Sequence, residues 1–446
     1  MRRASFVAAL AALTIASCSS SFDPASKLQN LRVLAVQKDK PYAHPGDTVH
    51  LKLLFDDPRS QFNVVDGQDA GHRQISVQWL SGCFNPQADA FQACIEQFIP
   101  EAGKPLPKLG GASNTLDFSL TLPRDLISSR AAPSNPMQPR SGSAFVFFGV
   151  CSGTLELGGT TDSPFACRSS SGKLLGADDF VAGYSEIFAY EDITNTNPVI
   201  ATEDPDNDGA PTTGFQVDDA YVDVDCIGDA CIALEQEEFR IASQTTTPAP
   251  SSKDGGFVPT TDSGLVVLDA GTSLLDAGTP RRDAGIRLLD AGASLFDAGL
   301  HLPMDAGRSR DAGSGTTTPV PAPPTCGEND PRCFTACTES DQGKCDKHSV
   351  KLIVTRTSAE QDGVAAALDG RKVGEQMWVN YYTDAGKLEH DVKLLNDATT
   401  GWNPNHSADL RVPQTVGAFH VWGVAHDNRG GVQWARITLK TTSPFQ

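Results

Sequence analysis

Residues 417–440 read GAFHVWGVAHDNRGGVQWARITLK, and this stretch decides the fold. Two runs rich in β-branched and aromatic residues flank Asp-Asn-Arg-Gly-Gly at 427–431. The glycines there can take φ > 0, so the stretch predicts a β-hairpin. Working back from it, "ADLRVP" (408–413), "KLEHDVKLL" (387–395), "QMWVNYYT" (376–383) and "SVKLIVTR" (349–356) have the same composition and predict further strands. Asp-Ala-Gly at 384–386 predicts a second hairpin turn.

The first half of the chain repeats the pattern. "LRVLAVQ" (31–37), "TVHLKLLFD" (48–56), "ISVQWLSG" (75–82), "TLDFSLTLP" (115–123), "AFVFFGVC" (144–151) and "EIFAYED" (186–192) are separated by turn residues such as His44-Pro45-Gly46. No segment of comparable quality has a helical period. The expected fold class is all-β: two antiparallel β-sandwiches. The strand order, with "PGDTV" entering the second strand and Trp79 on the third, resembles an immunoglobulin-like domain. The final hairpin resembles the last two strands of bacterial Ig-like, PKD-like and cadherin-like surface modules. Such resemblance implies a fold and no activity.

Between the two halves lies a repeat. Asp-Ala-Gly begins at Asp269, Asp276, Asp283, Asp290 and Asp297, then at Asp305 and Asp311. A glycine in each unit disfavours a coiled coil, and each unit holds too few apolar residues to build a core. With "TTTPAPSS" and "TTTPVPAPP" at its ends, 244–325 is expected to be a long low-complexity linker with a reach of about 50 Å as a random coil. The expected organisation is a signal peptide at 1–17, a tether at 18–27, a first sandwich at 28–195, an acidic connecting segment at 196–243, the linker, and a Cys-rich entry with the second sandwich at 326–446. "NTNPVI" (195–200) is an alternative first strand of the second sandwich, which would make 201–345 an insertion in it.

The beginning of the chain has the anatomy of an export signal: Arg2 and Arg3, then the apolar run "FVAALAALTI" at 6–15, too short to span a bilayer, then small residues. "IASC" at 15–18 resembles the lipobox of bacterial lipoproteins. That resemblance implies acylation of Cys18, attachment to the membrane by lipid, and, with Ser19 following, an outer-membrane address in a Gram-negative type of envelope. Cys18 is one of eleven cysteines. Without it ten remain, the even number an oxidising compartment requires. Their grouping predicts Cys83–Cys94, Cys151–Cys167 and Cys226–Cys231, with two bridges among Cys326, Cys333, Cys337 and Cys345 in any of three pairings.

A formal charge of −19 makes nucleic acid and acidic lipid surfaces poor partners, since both repel such a chain. "DPDNDGAP" places Asp204, Asp206 and Asp208 at the first, third and fifth positions of a loop that Gly209 bends, as a calcium loop begins; Asp218 is the candidate closing ligand. Phe215 stands where an EF-hand has its bidentate Glu, so a calcium ion there competes with a plain solvated acidic turn. The last four cysteines lack Cys-x-x-Cys spacing for zinc. His420 and His426 read as edge or surface residues. Trp422 and Trp434, on the two strands of the final hairpin, are either sandwich core or a surface for stacking on sugars or protein. No nucleophile elbow, P-loop or dinucleotide fingerprint is present. The expected role is therefore non-enzymatic: binding, adhesion or structural support at the cell envelope, with an envelope protein or polysaccharide as partner. The alternative is an exported polysaccharide or peptidoglycan hydrolase, or its carbohydrate-binding subunit.

Overall fold

The computed structural model of the chain describes residues 25–61, 64–65, 68–69, 74–98, 110–157, 163–201, 214–232, 240–241, 267–269, 326–327, 330–370 and 372–443. In the first half the main strands are β1 (Arg32–Lys38), β2 (Thr48–Asp56), β3 (Gln74–Phe84), β4 (Gly110–Ser113), β5 (Asp117–Thr121), β6 (Ser141–Cys151) and β7 (Phe180–Tyr190). They form two sheets, β1–β2–β5 and β3–β6–β7, with β4 on the outer side of β3. The sheets enclose Val49, Leu51, Leu53, Trp79, Phe118, Val146, Phe148 and Ile187. The other face of the second sheet is covered by a short helix, Phe91–Phe98, and by a hairpin of 154–157 with 165–168. The covers bring Phe91, Ile95, Phe98, Leu155 and Phe165 onto that face, and each is stapled to the sheet, by Cys83–Cys94 and by Cys151–Cys167.

In the second half the strands are β8 (Gly214–Val217), β9 (Ala220–Asp223), β10 (Cys226–Ile227), β11 (Cys333–Thr335), β12 (Lys347–Leu352), β13 (Met377–Thr383), β14 (Lys387–Glu389), β15 (Val392–Asp397), β16 (Ala408–Arg411), β17 (Gly417–Asp427) and β18 (Val432–Thr442). One sheet runs β9–β8–β12–β16–β14 and the facing one β10–β18–β17–β13–β15. Phe215, Val350, Leu352, Tyr381, Leu410, Val421 and Ile437 fill the space between them. The 427–431 turn is the expected hairpin. The turn at 384–386 is not one: β13 and β14 lie in different sheets, so this turn crosses between facing sheets. "KLEHDVKLL" is likewise two strands, broken at His390, whose φ is 57°. A helix at Gly363–Asp369 was not expected; the Asp362 carboxylate accepts bonds from Val364 N and Ala365 N at its start, and Gly370 closes it at φ 71°.

The two sheet pairs are not separate bodies. Alternation along β17 and β18 turns Phe419, Val421, Ala435 and Ile437 toward their own core. It turns Trp422, Val424, Val432 and Trp434 the other way, into the core of the first half. β1 is buried along almost its whole length because it has a sheet on either side, and Gln37 Nε2 donates to Val432 O at 2.8 Å. Four layers result, with the β1–β2–β5 sheet second and the final hairpin's sheet third.

The acidic connecting segment is also reassigned. β8 pairs with β12, β10 pairs with β18, and Ile200 bridges Val354, so residues on both sides of 202–213 belong to the second pair. β10 and β11 stand side by side on one edge of β18, at Arg436 and Lys440. Four residues separate these feet, or roughly 13 Å. The chain between 232 and 326 is thus inserted within the second pair and does not space one sandwich from the other. Two short pieces of it are described: Arg240–Ile241 pairs with Gln74–Ile75, and Val267–Asp269 pairs with Ala182–Tyr184.

A site-specific protease sequence inserted after Pro250 and cut to completion should leave two polypeptides that elute together at the uncut size. They should separate in denaturant without reductant, since every disulfide is local. Native elution as two species would show that β8 and β10 are not held to β12 and β18 as paired strands.

Candidate functional site

The densest collection of functional side chains lies at the junction of the two sheet pairs, and the 427–431 turn organises it. Asp427 Oδ1 accepts from Arg429 N at 2.7 Å and from Gly431 N at 2.8 Å. A Cβ on Gly431 would lie 2.1 Å from Asp427 Oδ2, so only glycine fits there. The turn aims the buried Arg429 inward. Its guanidinium donates to Glu375 Oε2 at 2.8 and 2.5 Å, and to Glu360 Oε2 at 2.9 Å. It also lies 5.8 Å from the ring centre of Tyr42, which belongs to the first half. Asn195 Nδ2 donates to Asp427 Oδ2, and Asn197 joins the halves directly, donating to Lys38 O at 2.7 Å and accepting from Val432 N at 2.9 Å. The Lys38 ammonium is buried and donates to Glu186 O at 2.7 Å.

A second polar group lies further along the seam. His420 is bound to Asp384 through both its backbone N and its ring Nδ1, each at 2.7 Å. The Arg436 guanidinium stacks 5.2 Å from the Trp422 ring centre and pairs with Asp225. Asp56, at 3% exposure, is buried beside these charges, and its Oδ2 has no hydrogen-bond partner among the described residues.

Burial dominates the protonation of these groups. It lifts the Asp56 carboxyl to about 8, with the nearby Asp384 charge adding and His420 opposing. It lifts Glu375 to about 7, with Asp427 adding and Arg429 opposing. It lowers the Lys38 ammonium to about 8 against the pull of Asp427 and Glu186. For His420 burial works against the charged ring, but the bond to Asp384 and its charge prevail and the net shift is upward. His426 has no such partner, and burial alone brings it down to about 4.

The residues singled out in the sequence fall elsewhere, or fall here in another role. Trp422 and Trp434, at 1% and 0% exposure, present no surface to a ligand: the face they occupy is covered by the first half, and Trp434 Nε1 donates to Gly228 O at 3.1 Å. His420 and His426 are not free surface residues, the first held by Asp384 and the second stacked 5.3 Å from the Trp378 ring. Cys18, Asp204, Asp206 and Asp208 lie outside the described residues. Asp218 sits in the β8–β9 turn at φ 46°, its carboxylate accepting from Ser349 N at 2.7 Å and meeting His348 Nδ1 at 2.5 Å. Among the described residues no three His, Cys, Asp or Glu side chains are grouped to hold a metal. The ten cysteines form five bridges; the last two, which the spacing left open, are Cys326–Cys333 and Cys337–Cys345.

Neither a protein-family model nor a curated protein sequence matches this chain. The chemistry of the junction is that of a clamp, since its charged groups, Asp56 apart, answer other groups of the same chain. Removing one partner leaves the other buried and unpaired, so Arg429→Ala should cost about 3–5 kcal/mol in denaturant unfolding, and Arg429→Met with Glu375→Met should cost clearly less. Equal losses in the two variants would show that the pair is not a clamp.

The pH dependence has a definite sign. Asp56 and Glu375 hold protons more tightly folded than unfolded, so their contribution is complete below about pH 4 and is lost as pH rises through about 7 and about 8. His420, also raised, acts in the same sense. His426, lowered to about 4, opposes the trend up to about pH 6.5, and Lys38 opposes it only above about pH 8. Stability should therefore fall between about pH 5 and about pH 8, by up to roughly 1.4 kcal/mol per pH unit for each carboxyl. Asp56→Asn should flatten the slope, and an unchanged slope would remove Asp56 from the account.

Proposed function

We propose that this chain is an exported lipoprotein of the bacterial cell envelope, with two immunoglobulin-like sandwiches, held by lipid at Cys18, whose role is non-enzymatic binding or structural support. The observation that carries the reading is the cysteine pairing. Ten cysteines are joined in five local bridges, which leaves Cys18 as the odd one, at the end of an export signal. A disulfide set of this density fits an oxidising compartment, and a lone cysteine directly after an apolar leader fits acylation.

The organisation of the polar groups supports the non-enzymatic half of the reading. Arg429, Glu375, Asp427 and Lys38 are spent on one another at the seam. A body so braced suits a protein that holds a position and presents its surface to an envelope protein or polysaccharide. Calcium at Asp204, Asp206 and Asp208 would stiffen a loop next to β8 and would not act catalytically.

Fractionation tests the anchor. The wild-type chain should partition with outer membranes, and Cys18→Ala should be released with its five bridges intact. Thiol labelling of denatured, unreduced mature protein should find no free thiol. Membrane retention of Cys18→Ala would contradict the anchor, and several reactive thiols would contradict the compartment.

A further inference from the structure

The chain enters the body at a fixed point. Ser26 and Leu28 are buried at 2% and 1% exposure. Leu28 N donates to Thr383 O at 2.8 Å and Thr383 N donates to Ser26 O at 2.9 Å. The entry segment thus adds to the end of β13, in the place β15 vacates, since β15 pairs with β13 only as far as Asn380. The first half grips the same segment from the other side: Leu31 N donates to Asp178 O at 3.3 Å, just ahead of β7.

Six residues, 19–24, separate Cys18 from Ala25. Fully extended, the seven steps span at most about 25 Å. The body is longer than that. β7 starts at Phe180 beside the entry and ends at Tyr190, roughly 33 Å away. Ser141 pairs with Tyr190, so the loop that carries Met137 into β6 lies at that distant end. A lipid on Cys18 cannot reach round to it.

We propose that the edge of the molecule formed by residues 25–32 and 390–394 faces the lipid surface, with the Met137 loop pointing away. The proposal rests on the lipid anchor at Cys18 and adds which side of the protein that anchor holds to the bilayer. The edge has suitable chemistry. Val392 is the most exposed of the large hydrophobic residues described, at 60%, and its partner Asn380 is three residues from Thr383, so it lies about 10 Å along the sheet from the entry. Within these residues Lys27, Arg32 and Lys393 outnumber the one carboxylate, Asp391, and Asp178 is bonded to Asn30 beside them, whereas the whole chain carries −19. This is an edge that an anionic bilayer does not repel.

The test uses the full-length acylated protein in phosphatidylethanolamine–phosphatidylglycerol vesicles with an acceptor dye on the lipid headgroup. A donor dye is placed on an azide-bearing residue at position 392 or 137. Both native side chains are exposed, at 60% and 58%, so neither label disturbs a core. Energy transfer should be several-fold stronger from 392 than from 137. Equal transfer, or stronger transfer from 137, overturns the orientation while leaving the anchor standing. The mass of the N-terminal peptide from the same sample separates the two ideas: no acyl group on Cys18 overturns the anchor and the orientation with it.

Discussion

Two tryptophans on the outward face of the last hairpin need a cover. Trp422 and Trp434 each bring about 150–250 Å² of surface, and removing that area from water is worth on the order of 4–6 kcal/mol per ring at 25 cal/mol/Å², as an upper bound. Together they match the whole net stability of an ordinary domain. The cover they find is the β1–β2–β5 sheet of the first half, at 1% and 0% residual exposure. From that burial follow the four-layer stack, the burial of β1 on both faces, and the placement of every charged group trapped at the seam.

Those trapped charges favour one arrangement over others more than they add net stability. An ion pair out of water recovers its desolvation cost only with good geometry, and Arg429 meets Glu375 and Glu360 with such geometry. A shift of the seam by one strand position would break the bonds of Gln37 to Val432 and of Asn197 to Lys38 and Val432, and would part Arg429 from Tyr42. The apolar surface drives the halves together, and the polar groups set the register in which they meet. Asp56 is the exception: with an unpartnered oxygen and a carboxyl lifted to about 8, it makes the seam responsive to pH.

Much of the fold was legible in the sequence, because β-branched and aromatic runs, glycine turns and local cysteine groups each carry their own physics. The strands of the last hairpin, the 427–431 turn and three of the five disulfides could be read directly. The seam was less legible. Alternation along β17 shows which residues face away from their own core, but it cannot say what covers them. One signal was available: Val421 to Ala425 is apolar without a break, as in strands buried on both faces. Asp362 and Gly370, at the two ends of "GVAAALD", likewise marked a helix that strand-seeking reading passed over. The turn at 384–386 misled because Asp-Ala-Gly suits a crossover between sheets as well as a hairpin, and only the pairing of Lys387–Glu389 with Asp409–Arg411 distinguishes them.

Cooperativity between the halves tests the account most directly. Hydrogen exchange, followed peptide by peptide through a urea series, separates β1 in the first half from β17 and β18 in the second. If the covered tryptophan face holds the structure together, peptides spanning 32–38 and 419–437 lose protection at the same urea concentration, in one transition. Loss of protection in one half while the other keeps its own would contradict the account, because the seam would then be a contact between independent bodies.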